Sequence, residues 1–386
     1  MSGRHDGAAL GWLRLKMGMR RVAWLTSGFS PYRVPLWNAL CDIVPTKVFL
    51  LSEQEKIRQW KRDDSALRVG LESIPGKQIY IGRLDWSLNV SYFSVHRRLS
   101  AYDPDALVID GYESPGYWAG LRWARRHSIT SVMHSGTTNL SSVMGGVSLF
   151  DFVKTQFVKR FDAYYTYGKY AAEYLVGHGA NESRIVIGQN LSDTTMTATC
   201  DRLSGRPNPS LLYVGQLIPR KGVLEMLQAL SGLKDISWDC TIVGSGPLQP
   251  QIDSEIKSHG LEARVTLAGS RDAVETALLY RQHDILVMPS LREVWGLVTN
   301  EALLSGLFVV GSNHAASCME LIQEGINGVL VDPTPAGIRE GLRCALTMPL
   351  PKRTQIRQTA MHISAEGEAG KLWRALQLAE QVHRKG

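Results

Sequence analysis

The chain has 386 residues, 44% of them apolar and 20% charged, which excludes a disordered or fibrous protein and is long enough for two domains rather than one small core. Its formal net charge of +7 points to anionic company, namely a membrane surface or phosphorylated small molecules, while the even spread of that charge argues against nucleic acid. The five cysteines, Cys41, Cys200, Cys240, Cys318 and Cys344, form no Cys-x-x-Cys pair, so a zinc site or disulfide framework is not expected and a reducing cytoplasm fits.

No apolar run approaches the ~20 residues of a membrane span, and the first residues lack the apolar core of a secretory signal, so a cytoplasmic protein is expected. Residues 1–21 read as an N-terminal extension. In it Leu10, Trp12, Leu13, Leu15, Met17 and Met19 alternate with Arg14, Lys16, Arg20 and Arg21, a texture that suits either peripheral contact with an anionic membrane or a disordered leader.

The first strand is Val22–Thr26, followed by the turn Ser27–Arg33 and helical character from Pro35 to Cys41. Open α/β sheets bind ligands at the carboxyl ends of their strands, which makes Gly28 a candidate for close backbone approach to a ligand, although no Gly-x-Gly-x-x-Gly fingerprint is present. Apolar strands recur at Lys47–Leu51, Gln78–Ile81, Ala106–Asp110, Thr130–His134, Ala163–Thr166 and Arg184–Ile187, alternating with helical stretches at Ser91–Ala101, Tyr117–His127, Phe152–Lys159 and Lys169–His178. This alternation predicts a parallel sheet covered by helices on both faces.

Asp201–Ser210 breaks the pattern with the polar, Pro- and Gly-containing composition of a linker. A second series follows, with strands at Leu211–Val214, Asp239–Val243, Arg264–Leu267, Asp284–Met288, Phe308–Gly311 and Gly328–Val331. Its helices are expected at Val223–Leu230, Leu248–His259, Asp272–Gln282, Leu297–Ser305, Met319–Glu324 and Ala336–Ala345. The expected organisation is a Rossmann-like domain over 22–205, a second over 206–350 and a helical segment over 351–386, interrupted near Gly367 and Gly370, that packs back on the first domain. Two facing doubly wound domains imply a cleft for a ligand.

Four stretches carry chemistry. In Pro289–Ala302, Glu293 lies in a loop and Glu301 about one turn into the following helix, with the amides of the helix start between them. Helix N-termini attract anions and carboxylates accept hydrogen bonds from hydroxyls, so this suits a ligand with hydroxyls at both ends and phosphate in the middle, such as a nucleotide sugar. Gly215–Gly222 puts Arg220, Lys221 and several amides at a strand's carboxyl end, a phosphate site in outline. Gly244-Ser245-Gly246-Pro247 is a further glycine turn, and Ser312–Glu320 follows the fifth strand of the series and starts another helix.

In the order strand, Gly-x5-Lys-Gly, Gly-x-Gly-Pro, Pro-Ser-x-x-Glu-x-x-Gly-Leu-Val-x-x-Glu-Ala and Glu-x4-Gly-x-x-Gly-x-Leu-Val, residues 211–332 resemble the donor domain of the family 4 retaining glycosyltransferases, which have the two-domain GT-B fold. The resemblance implies that Glu293 contacts the transferred sugar and that Glu301 holds ribose hydroxyls. It assigns the diphosphate to Lys221 and the amides of Gly296, Leu297 and Val298. Gly215, Gln216, Val294 and Trp295 count with the same donor-binding turns, and residues around Gly244, Gly246 and Gly269 frame the base. The N-terminal domain is less similar. Its best match is Val132–Thr137, where His134 ends a strand at the place of a family histidine near the donor's sugar.

Departures are equally specific. Asn190-Leu191-Ser192-Asp193 lacks the glycine of the family's Asn-Gly-x-Asp, Gln216 stands where many members have Arg, and Ala316-Ser317 replaces a glycine pair before Glu320. One diphosphate cation is therefore missing or replaced by Arg220. The reaction implied is transfer of a sugar from a nucleotide diphosphate donor to a hydroxyl acceptor with retention, the leaving diphosphate being stabilised by Lys221, Arg220 and helix amides. No cofactor or metal is required, and neither carboxylate is the nucleophile that retaining hydrolases use. An epimerase, a phosphorylase and a non-catalytic scaffold of the same fold are the alternatives. The acceptor, whether glycan, lipid-linked or a natural-product intermediate, stays open, with Trp86, Tyr92, Phe93, Tyr112, Tyr117 and Trp118 either its lining or ordinary core.

Overall fold

The computed structural model describes residues 19–52, 64–80, 87–90, 92–139, 148–192 and 208–384. The basic extension up to residue 18, most of the expected linker, Asp193, Cys200 and Trp86 lie outside the described residues, as do the side chains of Tyr92 and Phe93. Contacts divide the chain into two units. The first draws on the described parts of 1–136, 144–189 and 365–386, and the second on those of 137–143 and 190–364.

In the first unit the elements are β1 Val22–Thr26, α1 Val34–Ile43, β2 Thr46–Leu50, β3 Gly70–Ser73, β4 Lys77–Tyr80, β5 Ser87–Val90, α2 Tyr92–Tyr102, β6 Ala106–Ile109, α3 Pro115–Arg126, β7 Thr130–Ser135, α4 Ser148–Val158, β8 Ala163–Tyr167, α5 Gly168–Gly177 and β9 Ile185–Gly188. Seven of these strands make one sheet in the order β3-β2-β1-β6-β7-β8-β9, every pair parallel. The uninterrupted apolar strands are its centre: every residue of β1 and β6 is buried, as expected for a sheet covered on both faces.

Two strands differ from the sequence reading. The strand expected at Gln78–Ile81 pairs antiparallel with β5 in a separate two-stranded sheet, because a connection as short as 81–86 permits only antiparallel pairing, whereas a parallel crossover needs a dozen residues or more. The main sheet's edge beside β2 is instead β3, Gly-Leu-Glu-Ser. It carries one apolar residue and is anchored by charge, with Glu72 bonded to Lys47 at 2.6 Å and to Arg98 at 2.9 Å.

The second unit has β10 Ser210–Val214, α6 Val223–Ser231, β11 Asp239–Val243, α7 Gln249–Ser258, β12 Val265–Gly269, α8 Ala273–Gln282, β13 Ile285–Met288, α9 Leu297–Leu304, β14 Phe308–Ser312, α10 Ala316–Leu321, β15 Gly328–Val331, α11 Pro335–Thr347 and α12 Arg353–Gln358. Its sheet is parallel in the order β12-β11-β10-β13-β14-β15. Helix α10 starts three residues earlier than the sequence reading placed it, at Ala316 rather than Met319. In each sheet the strand order reverses once, between β1 and β6 and between β10 and β13. Such switch points open a crevice at the strands' carboxyl ends.

The last helix, α13 Ala365–His383, belongs to the first unit and packs on α1, β7, β8 and β9. It runs through Gly367 and Gly370, and the interruption falls at 359–364 instead. Each glycine costs a helix about 1 kcal/mol, which the buried stripe Ala369, Leu372, Ala375, Leu376 and Ala379 offsets. Glu368 is 1% exposed and fixes the docking: it accepts hydrogen bonds from Tyr165 Oη at 2.6 Å, the Gln189 amide at 2.7 Å and Lys371 Nζ at 2.7 Å. Among the described residues no helix is long and apolar enough to cross a membrane.

Because Glu368 satisfies the buried Tyr165 hydroxyl and the part-buried Gln189 amide at once, Glu368→Ala leaves both without this partner and is expected to destabilise the first unit by about 2–4 kcal/mol, read from the urea unfolding midpoint.

Candidate active site

At the switch point of the second unit, two chain segments meet. After β10 the chain turns through 215–222, held from below by Tyr213 Oη on the Gln216 carbonyl at 3.0 Å and by the Leu217 amide on Ser245 O at 2.9 Å. Pro219–Lys221 forms a single 3-10 turn, and Gly222 adopts φ 68° to enter α6. A Cβ at Gly222 would lie 2.0 Å from the Pro289 carbonyl, so only glycine lets this turn approach the loop that follows β13. The Leu291 amide donates to Arg220 O at 2.9 Å and joins the two.

The loop 289–296 is held from its other flank as well. The Glu293 amide donates to His314 O at 3.1 Å, Ser317 N donates to Trp295 O at 3.2 Å, and Ser317 Oγ donates to Gly296 O at 3.1 Å. Gly296 then adopts φ 92° and begins α9, whose first amides, including Leu297 and Val298, have no intrahelical acceptor.

Between these segments sits Glu293, its side chain 11% exposed, accepting hydrogen bonds from Lys221 Nζ and, at 3.1 Å, from Arg220 Nη1. Burial pushes its carboxyl up, but the charge of Lys221 and then that of Arg220 outweigh burial, and the net shift is downward. Glu293 is thus an anion under two cations at neutral pH. Glu301, on the second turn of α9, accepts from the hydroxyl of the buried Tyr280 of α8 at 2.7 Å.

The remaining expected residues fall into different environments. The Trp295 ring is buried, with Nε1 donating to Asn300 Oδ1 at 2.8 Å, so only its backbone borders the loop, while Val294 and Gln216 are exposed. Gly244 and Gly246 have a packing reason to be glycine. A Cβ at Gly244, which has φ 145°, would lie 1.8 Å from Gly215 O, and one at Gly246 2.4 Å from Leu217 O. The Gly244 amide in turn donates to Gly269 O at 2.9 Å, and around Gly269, at φ 71°, a Cβ would meet nothing within 4 Å.

In the first unit His134 lies at the end of β7, 1% exposed, with Nδ1 2.7 Å from Asp110 Oδ1. Asp110 directly follows β6 and is otherwise surrounded by donors: Trp24 Nε1 reaches Oδ1 at 2.7 Å and Arg33 Nη1 reaches Oδ2. Arg33 Nη1 also donates to Thr26 Oγ1 at 2.7 Å, and burial pushes the nearby Tyr167 phenol up to about 12. The buried Gly28 lies in the bend after β1 at the same switch point. Burial raises the Asp110 carboxyl, but Arg33 and then His134 hold it down, to about 2. Sequence reasoning missed Asp110, Arg33, Trp24, Tyr280 and Ser317. Asp110 was read as the last residue of an apolar strand; the one available signal was its position at a carboxyl strand end beside the first turn.

Two outcomes follow from these geometries. Gly244→Ala is expected to cost about 2–4 kcal/mol through backbone collision, whereas Gly269→Ala costs about 1 kcal/mol for its positive φ alone, a contrast that chemical denaturation of both variants checks. Asp110, lowered from an unfolded value near 3.9, contributes stability that is present above about pH 4 and is lost as pH falls toward 2, about 2 kcal/mol in all. Urea unfolding between pH 5 and 2 should therefore show a shallower loss of stability for Asp110→Asn than for the wild type.

Comparison with known proteins covers the second unit by sequence and both units by fold. Residues 203–362 match the family model described as glycosyl transferases group 1. The chain is 30% identical over 127 residues to the alpha-D-kanosaminyltransferase of Streptomyces kanamyceticus, a match spanning 32% of this chain and 33% of that protein. The matched stretches thus span about a third of the length of the curated relatives. Among solved structures, a glycosyltransferase from Rickettsia africae superposes with a TM-score of 0.71 at 12% identity, over 95% of this chain and 99% of that one. Anabaena HepE in complex with UDP-glucose superposes with a TM-score of 0.64 at 16% identity, over 95% and 99%. The chain has the GT-B fold, and over 203–362 it is similar to the group 1 glycosyl transferases.

Proposed function

We propose that the protein is a retaining glycosyltransferase that moves a sugar from a nucleoside diphosphate donor to a hydroxyl acceptor. The observation that carries this reading is the convergence of Lys221 and Arg220 on Glu293 beside the amino end of α9. Cations and helix amides at a switch point suit a diphosphate, and a carboxylate among them suits the sugar attached to it. The similarity of 203–362 to group 1 glycosyl transferases and the UDP-glucose in the structurally similar HepE support the same donor class.

In this reading Lys221 and Arg220 turn from Glu293 toward the donor's phosphates, and the amides of Gly296, Leu297 and Val298 complete the anion site. Glu293 accepts hydroxyls of the transferred sugar, while Glu301, steadied by Tyr280, accepts those of the ribose. The bond from the anomeric carbon to the diphosphate breaks as the charge on the departing oxygen grows under Lys221 and Arg220. The acceptor oxygen bonds to the same face of the anomeric carbon, and its proton passes to a phosphate oxygen. Glu293 is assigned as a positioning anion on the sugar's hydroxyls, as the resemblance implies, and not as a nucleophile. The nucleotide sugar is a co-substrate rather than a cofactor. We assign the reaction to the cytoplasm, with residues 1–21 as the candidate contact to a membrane.

A thermal-shift series over UDP-, GDP-, ADP- and dTDP-sugars tests the reading: one donor at ~100 times its Kd should stabilise by about 2.7 kcal/mol. Lys221→Ala should weaken that donor about 10- to 100-fold, while Glu293→Gln should spare nucleoside diphosphate binding and depress turnover. Product anomeric configuration, read by NMR, decides retention. A flat response to every donor would overturn the assignment.

A further inference from the structure

We propose that the first unit carries an anion site of its own, at the end of its sheet opposite the switch-point crevice. It takes a phosphate-bearing ligand among Arg125, Arg160 and Arg184, and that ligand ties the end of α13 to the sheet. Every residue involved belongs to the first unit, and the site stands independently of the donor site proposed above.

Here the amino ends of β7, β8 and β9 meet the carboxyl ends of three helices. Ser131 is the second residue of β7, and Asp162 and Arg184 directly precede β8 and β9; Arg125 lies in the last turn of α3, Arg160 two positions beyond α4 and His383 at the end of α13. These six residues border an open cavity of about 450 Å³, which is within the range of small-ligand pockets. Its charges do not cancel. The one carboxylate that lines it, Asp162, is committed elsewhere: Oδ2 accepts from Ser131 N at 2.8 Å and from Ser131 Oγ at 2.9 Å, and Oδ1 faces His383 Nδ1 at 3.6 Å. Arg125 Nη1 donates to the Arg160 carbonyl at 3.3 Å and Arg160 Nη1 to Gln156 Oε1 at 3.2 Å, both neutral acceptors. Among the described residues none of the three guanidiniums has a carboxylate partner.

Helix ends alone do not account for the cluster. A cation at a helix carboxyl end complements the macrodipole, which is reason enough for Arg125 and Arg160. Arg184, however, stands half-buried before a strand, on a turn against which α13 packs, and a third guanidinium there adds only repulsion until an anion meets it. Guanidinium forks match the oxygens of phosphate, each contact being both charge-assisted and directional. The cationic surface also continues. An adjoining cavity of about 520 Å³ shares Arg125 and Arg160 and adds Arg122 and Arg126, with no carboxylate in its lining, so a ligand with more than one negative charge is favoured. Trp118, Arg122 and Arg125 recur at helical spacing and put one face of α3 along this groove. A ligand in the first cavity lies beside Val382 and His383, so occupancy steadies the last turn of α13.

Calorimetric titration of the full-length Lys221→Ala variant with inorganic diphosphate tests this with the first unit unaltered. A binding event should persist there, and adding Arg184→Gln or Arg125→Gln should weaken it about 10- to 100-fold. Diphosphate should slow amide hydrogen exchange in the last turn of α13 in Lys221→Ala and not once Arg184→Gln is added. Arg184→Gln alone should leave the thermal shift by a sugar nucleotide unchanged. Flotation with phosphatidylglycerol against phosphatidylcholine vesicles separates the two sources of phosphate. A free ligand gives diphosphate binding with flotation indifferent to Arg184→Gln, whereas a lipid headgroup gives flotation on the anionic vesicles that Arg184→Gln and Arg125→Gln both reduce.

Lys221→Ala that neither binds diphosphate nor floats in an Arg184-dependent way overturns the proposal, whatever the stability of the arginine variants. So does diphosphate binding that ignores both arginine substitutions, or binding that leaves exchange in α13 unchanged. A protein that shows the arginine-dependent site and yet responds to no sugar nucleotide would sink the transferase reading and leave this one standing.

Discussion

A carboxylate withdrawn from water stays charged only where cations meet it, and that constraint shapes the second unit. Glu293 is held by Lys221 and Arg220, which come from the turn after β10, while Glu293 itself comes from the loop after β13. Desolvating an ion costs several kcal/mol, and the attraction offsets this only if the geometry is good. Good geometry here requires the two segments to touch, which is why Gly222 packs its Cα against the Pro289 carbonyl and why the Leu291 amide reaches Arg220 O. The backbone stitching exists for the ion cluster as much as the reverse.

The first unit solves the same problem with other residues. Asp110 follows β6, the strand across the switch point from β1, as Glu293 follows β13, the strand across from β10. Its cation, Arg33, lies seven positions beyond the end of β1 (26 to 33), and Lys221 lies seven beyond the end of β10 (214 to 221). No sequence repeat links the halves, yet each places a buried carboxylate after one strand and a basic partner in the turn after its neighbour. The parallel-sheet topology explains the likeness: at a reversal of strand order the two flanking connections leave in opposite directions, so their first residues are the ones free to face each other.

How far this was legible in the sequence depended on whether a feature leaves a local trace. Central strands such as β1, β6 and β10 were readable because burial on both faces forces continuous apolar runs. The edge strand β3 was not, since an edge needs no such run and Gly-Leu-Glu-Ser has none. Glu293, Lys221 and Glu301 stood out through spacing that suits a loop running into a helix. The partnership of Asp110 with Arg33 and Trp24 left no trace beyond the place of Asp110 at a carboxyl strand end, because it spans 77 and 86 positions and only the fold brings the three together. The break expected at Gly367 and Gly370 reflects the same limit: helix propensity is local, whereas the buried stripe and Glu368 that carry α13 through both glycines depend on strands nearly two hundred residues earlier in the chain.

The departures from the resembled pattern are where local reading and structure inform each other most. Gln216, standing where a cation is usual, is exposed, and the second cation on Glu293 is Arg220, from the same turn but one step before Lys221. Charge at the site is thus kept while its source moves along the chain. At Ser317, where glycine is usual, the added hydroxyl donates to Gly296 O at 3.1 Å and lies 2.9 Å from Thr299 Oγ1. Gly296 is the positive-φ residue on which α9 begins, so this hydroxyl clamps the conformation that points the helix amides at the site. A residue that departs from the resembled glycine pair works as a brace, and the direction of α9, on which both the anion site and Glu301 depend, is fixed partly by a side chain from the next connection.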